Sequence, residues 1–241
     1  MAMFRALSGL LIVGCLAGQA LGATLQVSPV KVDFSSGQNA AGLTLNNPGD
    51  TPVYGQVRVF RWDQDANGDV LSPSPEVVAS PPIIQLTGGG QQLIRLVRVQ
   101  PGNTAVEQSY RLLIDEIPPP DSGKKHAGVM IRMRYSVPVF VAPVGNTSPK
   151  LIWRVARQQD GQWFLHLDNQ GLRHTQVGAL MLQDATGKVL QVSDGLLGYV
   201  LAGHKRQWPL RSDGPAKLGG QLVIKVNLDG RPNTFTVTGE D

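Results

Sequence analysis

The segment Ser109–Val141 opens with SYRLLIDEIPPP and, after a polar stretch, closes with GVMIRMRYSVPVFV over residues 128–141. Both runs are rich in β-branched and aromatic residues, and the second alternates with the two-residue period of a strand. Val129, Ile131, Met133 and Tyr135 share one face, and Met130, Arg132 and Arg134 share the other. An apolar strand with a basic back, beside a Lys-rich loop, reads as an edge built to pair with a strand of another chain.

The pattern outward from this segment is of the same kind. Short apolar runs separated by turn clusters recur from Leu25 to Val237, in a chain with 28 Gly and 17 Pro and no sustained helical period. The first half reads as strands over Leu25–Phe34, Leu43–Asn46, Val53–Trp62, Gln92–Val99, Ser109–Glu116 and Val129–Val141, with a weak one near Val70. PVGNTSP at 143–149 has linker composition. Beyond it, strands are expected at Leu151–Arg157, Trp163–Asn169, Gly178–Gln183, Val189–Val192, Gly198–Leu201, Gln221–Leu228 and Thr234–Thr238. Each half suits an immunoglobulin-like sandwich of about seven strands. The fold class is therefore all-β, with two immunoglobulin-like β-sandwich domains.

The first residues, MAMFRALSGLLIVGCLAGQALGA, combine a positive start at Arg5, an apolar middle and small residues before Thr24. They read as a secretory signal peptide at 1–23, cleaved after Ala23, followed by domains at 24–145 and 146–241. Ile12–Cys15 loosely fits a lipidation box, but small-residue cleavage signals continue past it. Cys15 is the only cysteine, so the expected mature chain is held by packing without a disulfide.

The formal net charge is +4, with Lys and Arg scattered rather than clustered. That argues against nucleic acid as a partner. Asp63–Asp69, DQDANGD, copies the start of a calcium loop, yet the twelfth position, where a bidentate carboxylate is needed, is Ser74. It reads as a polar hairpin turn. His126, His166, His174 and His204 lack zinc-site spacing, and Gly88–Gly90 sits between strands rather than before a helix. No nucleophile or general-base constellation stands out, so neither catalysis, cofactor, metal nor small-molecule substrate is expected.

EVVASPPI at 76–83, QLIRL at 92–96, YRL at 110–112 and EIPP at 116–119 resemble, in order and spacing, the periplasmic pilus chaperones of the chaperone–usher pathway. Val57–Trp62, VRVFRW, and Pro138 are similar to the archaic branch. The resemblance implies a boomerang of two immunoglobulin-like domains whose first domain lends its last strand to a pilin subunit that lacks one. It implies pilin subunits and an outer-membrane usher as partners, and the periplasm as the location. Val129, Ile131, Met133 and Tyr135 would then be the donor-strand anchors. Each buried anchor contributes ~1.5–3 kcal/mol, against ~0–1 kcal/mol for an exposed ion pair.

The family also holds the subunit's C-terminal carboxylate with basic residues in the cleft. Lys31 falls at one such position, while the family's lysine near the end of the last strand aligns with Pro138 here. The second position is therefore either vacant or filled by Arg111. The resemblance assigns Glu116 to the domain interface. The rival reading, a secreted immunoglobulin-like pilus subunit or adhesin, would normally show one incomplete sandwich and often a cysteine pair.

Overall fold

The computed structural model describes residues 25–65, 68–119, 131–211 and 216–240. The expected signal peptide and Val129 lie outside the described residues. Eighteen strands and no helix are found among those described.

The first sandwich packs two sheets. In one, β1 (Gln26–Ser28), β3 (Ala40–Asn46), β8 (Gln91–Arg98) and β6 (Val77–Ser80) lie side by side in that order. In the other the order is β2 (Val32–Phe34), β10 (Arg134–Val141), β9 (Gln108–Ile117), β4 (Val53–Asp65) and β5 (Gly68–Pro73), with β7 (Ile83–Leu86) also on β4. The alternation seen in sequence fills the space between them: Phe34, Leu43, Leu45, Ile94, Leu96, Tyr110, Leu112, Ile114 and Val139 form one buried cluster. Leu93, between the inward positions of β8, points out and is 60% exposed.

The single strand expected over Leu25–Phe34 is broken. Pro29 has no N–H with which to continue a ladder, and the chain crosses there from the first sheet, through β1, to the second, through β2. Gly88 closes the turn between β7 and β8 against the Asp50 backbone. A Cβ at residue 88 would lie 2.5 Å from the Asp50 carbonyl oxygen.

The second sandwich is one continuous hydrogen-bonded sheet. Its order is β14 (Val189–Ser193), β13 (Thr175–Asp184), β17 (Gly220–Leu228), β18 (Arg231–Glu240), β11 (Leu151–Arg157), β12 (Trp163–Asn169) and β16 (Lys205–Leu210), with β15 (Gly198–Val200) on β13. Val155, Leu165, Leu182, Trp208, Leu222 and Ile224, from both halves of that order, belong to a single buried cluster. The sheet therefore folds over on itself to make two layers. β16 was not expected from sequence, because KRQWPL begins with three polar residues and contains Pro209. As an edge strand it tolerates both.

The two sandwiches meet at the ends of β4 and β10. Trp62, Phe140 and Leu201 are buried together, with Tyr199 packed on them. Phe140 stacks on the His174 ring at 3.6 Å between centroids. Gln64 spans the junction, its Oε1 accepting from Leu201 N (3.0 Å) and its Nε2 donating to Tyr199 O (2.9 Å). Glu107, whose side chain has no exposure, accepts from His174 N at 2.8 Å and lies 2.6 Å from His174 Nδ1.

Glu116 is not at this interface. It stands nine residues of extended chain from Glu107, about 30 Å along β9, and its carboxylate accepts from Met133 N instead (3.2 Å). The interface carboxylate is Glu107, the residue immediately before β9.

Candidate functional site: the open edge of β10 and the cleft behind it

β10 is bound along its whole length to β9, from Arg134↔Asp115 to Val141↔Gln108. On its other side β2 covers only Val139–Val141. Among the described residues the edge from Arg134 to Val137 therefore has no strand partner. Which backbone groups face that edge follows from two bonds: Glu116 N donates to Met133 O (3.0 Å), toward β9, and Ala142 N donates to Phe34 O (2.9 Å), toward β2. By alternation, the N–H groups of Tyr135, Val137 and Val139 point to β9, and those of Arg134 and Ser136 point to the open side. Pro138 shares the second orientation, so its missing N–H takes nothing from the ladder with β9.

The side chains divide along the same strand. Val137, Val139 and Val141 are in the core of the first sandwich, and Tyr135 is half-buried against it. Met133 and Ile131 continue the same face into solvent, at 40% and 76% exposure. One apolar row thus begins inside the chain's own core and runs out past it. On the other face Arg134 pairs with Asp115, which also receives Arg58 Nη2 at 2.6 Å. Burial works against the Asp115 charge, but the hydrogen bonds from the two arginines outweigh it and hold the carboxyl below its usual range.

At the junction end the outer face of the sheet carries two cations. Lys31 immediately precedes β2, whose Val32 is paired with Val139. Pro138 is opposite Arg111, and Arg111 is opposite Phe60. Lys31, Pro138 and Arg111 accordingly form a row across three neighbouring strands. Lys31 Nζ is 2.9 Å from Asp33 Oδ2 and stays largely open. Arg111 lies flat on Trp62, 3.6 Å from the ring centroid, with a side chain only 15% exposed. Burial lowers its pKa, opposed by the charge of Asp69. The Tyr199 phenol is raised by burial, and the positive charges of Arg111 and Lys31 both oppose that rise. Both cations thus act on the same ring.

The sequence family described as "Pili and flagellar-assembly chaperone, PapD N-terminal domain" matches residues 24–146, half of the chain. The chain belongs to the PapD-like pilus-assembly chaperones. Among solved structures it is similar to a chain of the CsuC–CsuE chaperone–tip adhesion subunit pre-assembly complex from the archaic chaperone–usher Csu pili of Acinetobacter baumannii. That match has 25% identity and a TM-score of 0.70, covering 91% of this chain and 100% of the other. The Salmonella enterica complex of SafA pilin with the SafB chaperone matches at 17% identity and TM-score 0.62, over 90% and 96% of the two chains. The Escherichia coli chaperone DraB matches at 22% and 0.59, over 90% and 95%. These last two speak for the fold alone. No curated protein matches the sequence.

In this chaperone the residues singled out from sequence fall into two groups. Ile131 and Met133 mark the open end of β10, with Tyr135 at the core boundary, and Lys31 with Arg111 marks the junction end. Glu116 belongs with Met133. Several residues at the junction had no site role in sequence: Trp62 beneath Arg111, Asp69 beside it, and Phe140 and Glu107 facing the second sandwich. The DQDANGD acids were legible as a turn. Two of their ion-pair partners, His204 for Asp63 (2.5 Å) and Arg206 for Asp69 (3.1 Å), are more than a hundred residues away.

Proposed function

We propose that this chaperone captures pilin subunits by laying the open edge of β10 against a subunit's unfilled groove. Val129, Ile131 and Met133 enter that groove as apolar anchors, with Tyr135 closing the row where it meets the chaperone's own core. Lys31 and Arg111 take the subunit's C-terminal carboxylate, which fixes the register of the two strands. One observation carries the reading: an apolar row on a strand edge that has no strand partner among the described residues, with two cations across the junction end of the same strand. The family match favours this reading over that of a pilus subunit or adhesin.

Residues 1–23 direct the chain to the periplasm and are removed. Residues 24–145 form the arm that holds the subunit, 146–241 the second domain, and an outer-membrane usher receives the cargo. The work is binding rather than catalysis. The chaperone–tip adhesion subunit pre-assembly complex named for the Csu relative is consistent with this assignment.

Ile131→Asp tests the reading, because it sets an unpaired charge in an apolar groove. Co-expressed pilin subunit is expected to stop co-purifying while the chaperone stays folded. Leu93→Asp, at a comparably exposed position on the opposite sheet, is expected to leave capture unchanged. Equal capture by Ile131→Asp and wild type would remove the donor-strand assignment.

A further inference from the structure

Arg111 is built into the junction between the sandwiches, although its own strand belongs to the first. Its base is Trp62, which packs edge-on against Tyr199 of the second sandwich at 5.5 Å. Its ion-pair partner is Asp69, with Oδ2 at 3.6 Å from Arg111 Nη2, longer than a hydrogen bond. The other oxygen of Asp69 is engaged twice: Arg206 Nη1 lies 3.1 Å from Oδ1, and Gln64 Nε2 donates to it at 2.9 Å. Gln64 is itself fixed by Tyr199 O and Leu201 N. Asp69 is thus drawn toward the second sandwich by groups whose positions that sandwich sets.

We propose that Arg206 holds Asp69 off Arg111, and so keeps the cleft arginine available for a carboxylate that Arg206 never touches. The inference rests on the reading of Arg111 as a carboxylate site. Closing the gap from 3.6 Å to the length of a charge-assisted hydrogen bond needs a movement of less than ~1 Å. Once there, Asp69 would use the donor fork that an incoming carboxylate needs, since a guanidinium lying on an aromatic face offers only its edge. Arg206 is then a positioning residue. By linkage, a carboxylate on Arg111 also strengthens the Asp69–Arg206 contact, so cleft occupancy firms the junction.

The probe is acetate, with acetamide as its neutral counterpart, titrated at constant ionic strength into the full chain labelled with 15N-arginine. The Arg111 side-chain signal, assigned by its loss in Arg111→Ala, reports binding, and the tryptophan indole signals report folding. Wild type is expected to give a saturable, acetate-selective shift. Arg206→Ala is expected to weaken acetate binding by about fivefold, with Arg206→Lys restoring part of the loss, and Asp69→Asn to strengthen it. The double variant Asp69→Asn/Arg206→Ala is expected to match Asp69→Asn alone, because without the Asp69 charge Arg206 has nothing to restrain.

The same loss from Arg206→Ala in both backgrounds would mean only that a positive charge had been removed from the neighbourhood, and would overturn the inference. So would wild-type affinity in a folded Arg206→Ala, or, should that variant not fold, unchanged or weaker binding by Asp69→Asn. No acetate-selective response at Arg111 in wild type would instead overturn the carboxylate reading of Arg111 itself, and the inference with it.

Discussion

Tyr110 shows how much a single residue of β9 carries. Its ring is in the core, and its hydroxyl donates to Glu76 Oε2 at 2.7 Å, tying β9 to the start of β6. Burial, reinforced by that bond to a carboxylate, pushes the phenol up to about 12. Below the ordinary tyrosine value of about 10, the folded and unfolded chains are both neutral at this residue. Between about 10 and about 12 only the unfolded chain ionises, so stability falls as pH rises across that window. A spectrophotometric titration is expected to lose its latest phenol transition in Tyr110→Phe, and an unchanged titration in that variant would remove the assignment. Placement was legible where chemistry and parity agreed, as for Ile131 and Met133, which lie exposed beyond the core row of β10. It was not legible for Glu116 and Glu107, because an acidic residue at either end of a ten-residue strand looks the same until the strand's far neighbours are known.

At the scale of the element, β10 is one strand with two fates. Its alternation was plain in sequence. The point at which an inward side chain stops meeting the chain's own core was not, because that point depends on where β2 begins, and β2 is only three residues long. Pro29, in turn, marks the break that leaves β2 so short. Two isoleucines, one inside this sheet and one just before β10, separate the fates. Ile114, fully buried opposite Tyr135, is expected to cost ~2–5 kcal/mol of stability on truncation to alanine. Ile131→Ala is expected to leave the denaturation midpoint within experimental scatter while weakening subunit capture. A matching loss of stability from Ile131→Ala would show that Ile131 belongs to the core rather than to the partner's groove.

At the scale of the whole molecule, the all-β class and two sandwiches were legible because each strand carries its own local pattern. The junction was not. Gln64 and Leu201 are bonded across a separation of 137 residues, and neither stands out by type or neighbours. The most enclosed charge there is Glu107, held by His174 and, at 3.5 Å, by Arg173 Nε. Glu107→Ala leaves the buried His174 unsatisfied and is expected to lower stability by ~1–3 kcal/mol. It is also expected to broaden the distribution of angles between the sandwiches in small-angle scattering. Wild-type stability and scattering would place the rigidity of the junction elsewhere, in the Trp62–Phe140–Tyr199 contacts.

The central claim is that a subunit's strand completes the open side of β10, and amide hydrogen exchange on the chaperone alone and with a co-expressed pilin subunit tests it most directly. The Tyr135 and Val137 amides, directed at β9, should be protected in both states. The Arg134 and Ser136 amides, directed at the open side, should exchange rapidly in the free chaperone and become protected by at least tenfold (~1.4 kcal/mol) in the complex. Rapid exchange at Arg134 and Ser136 in a complex that shows protection elsewhere on the surface would contradict it.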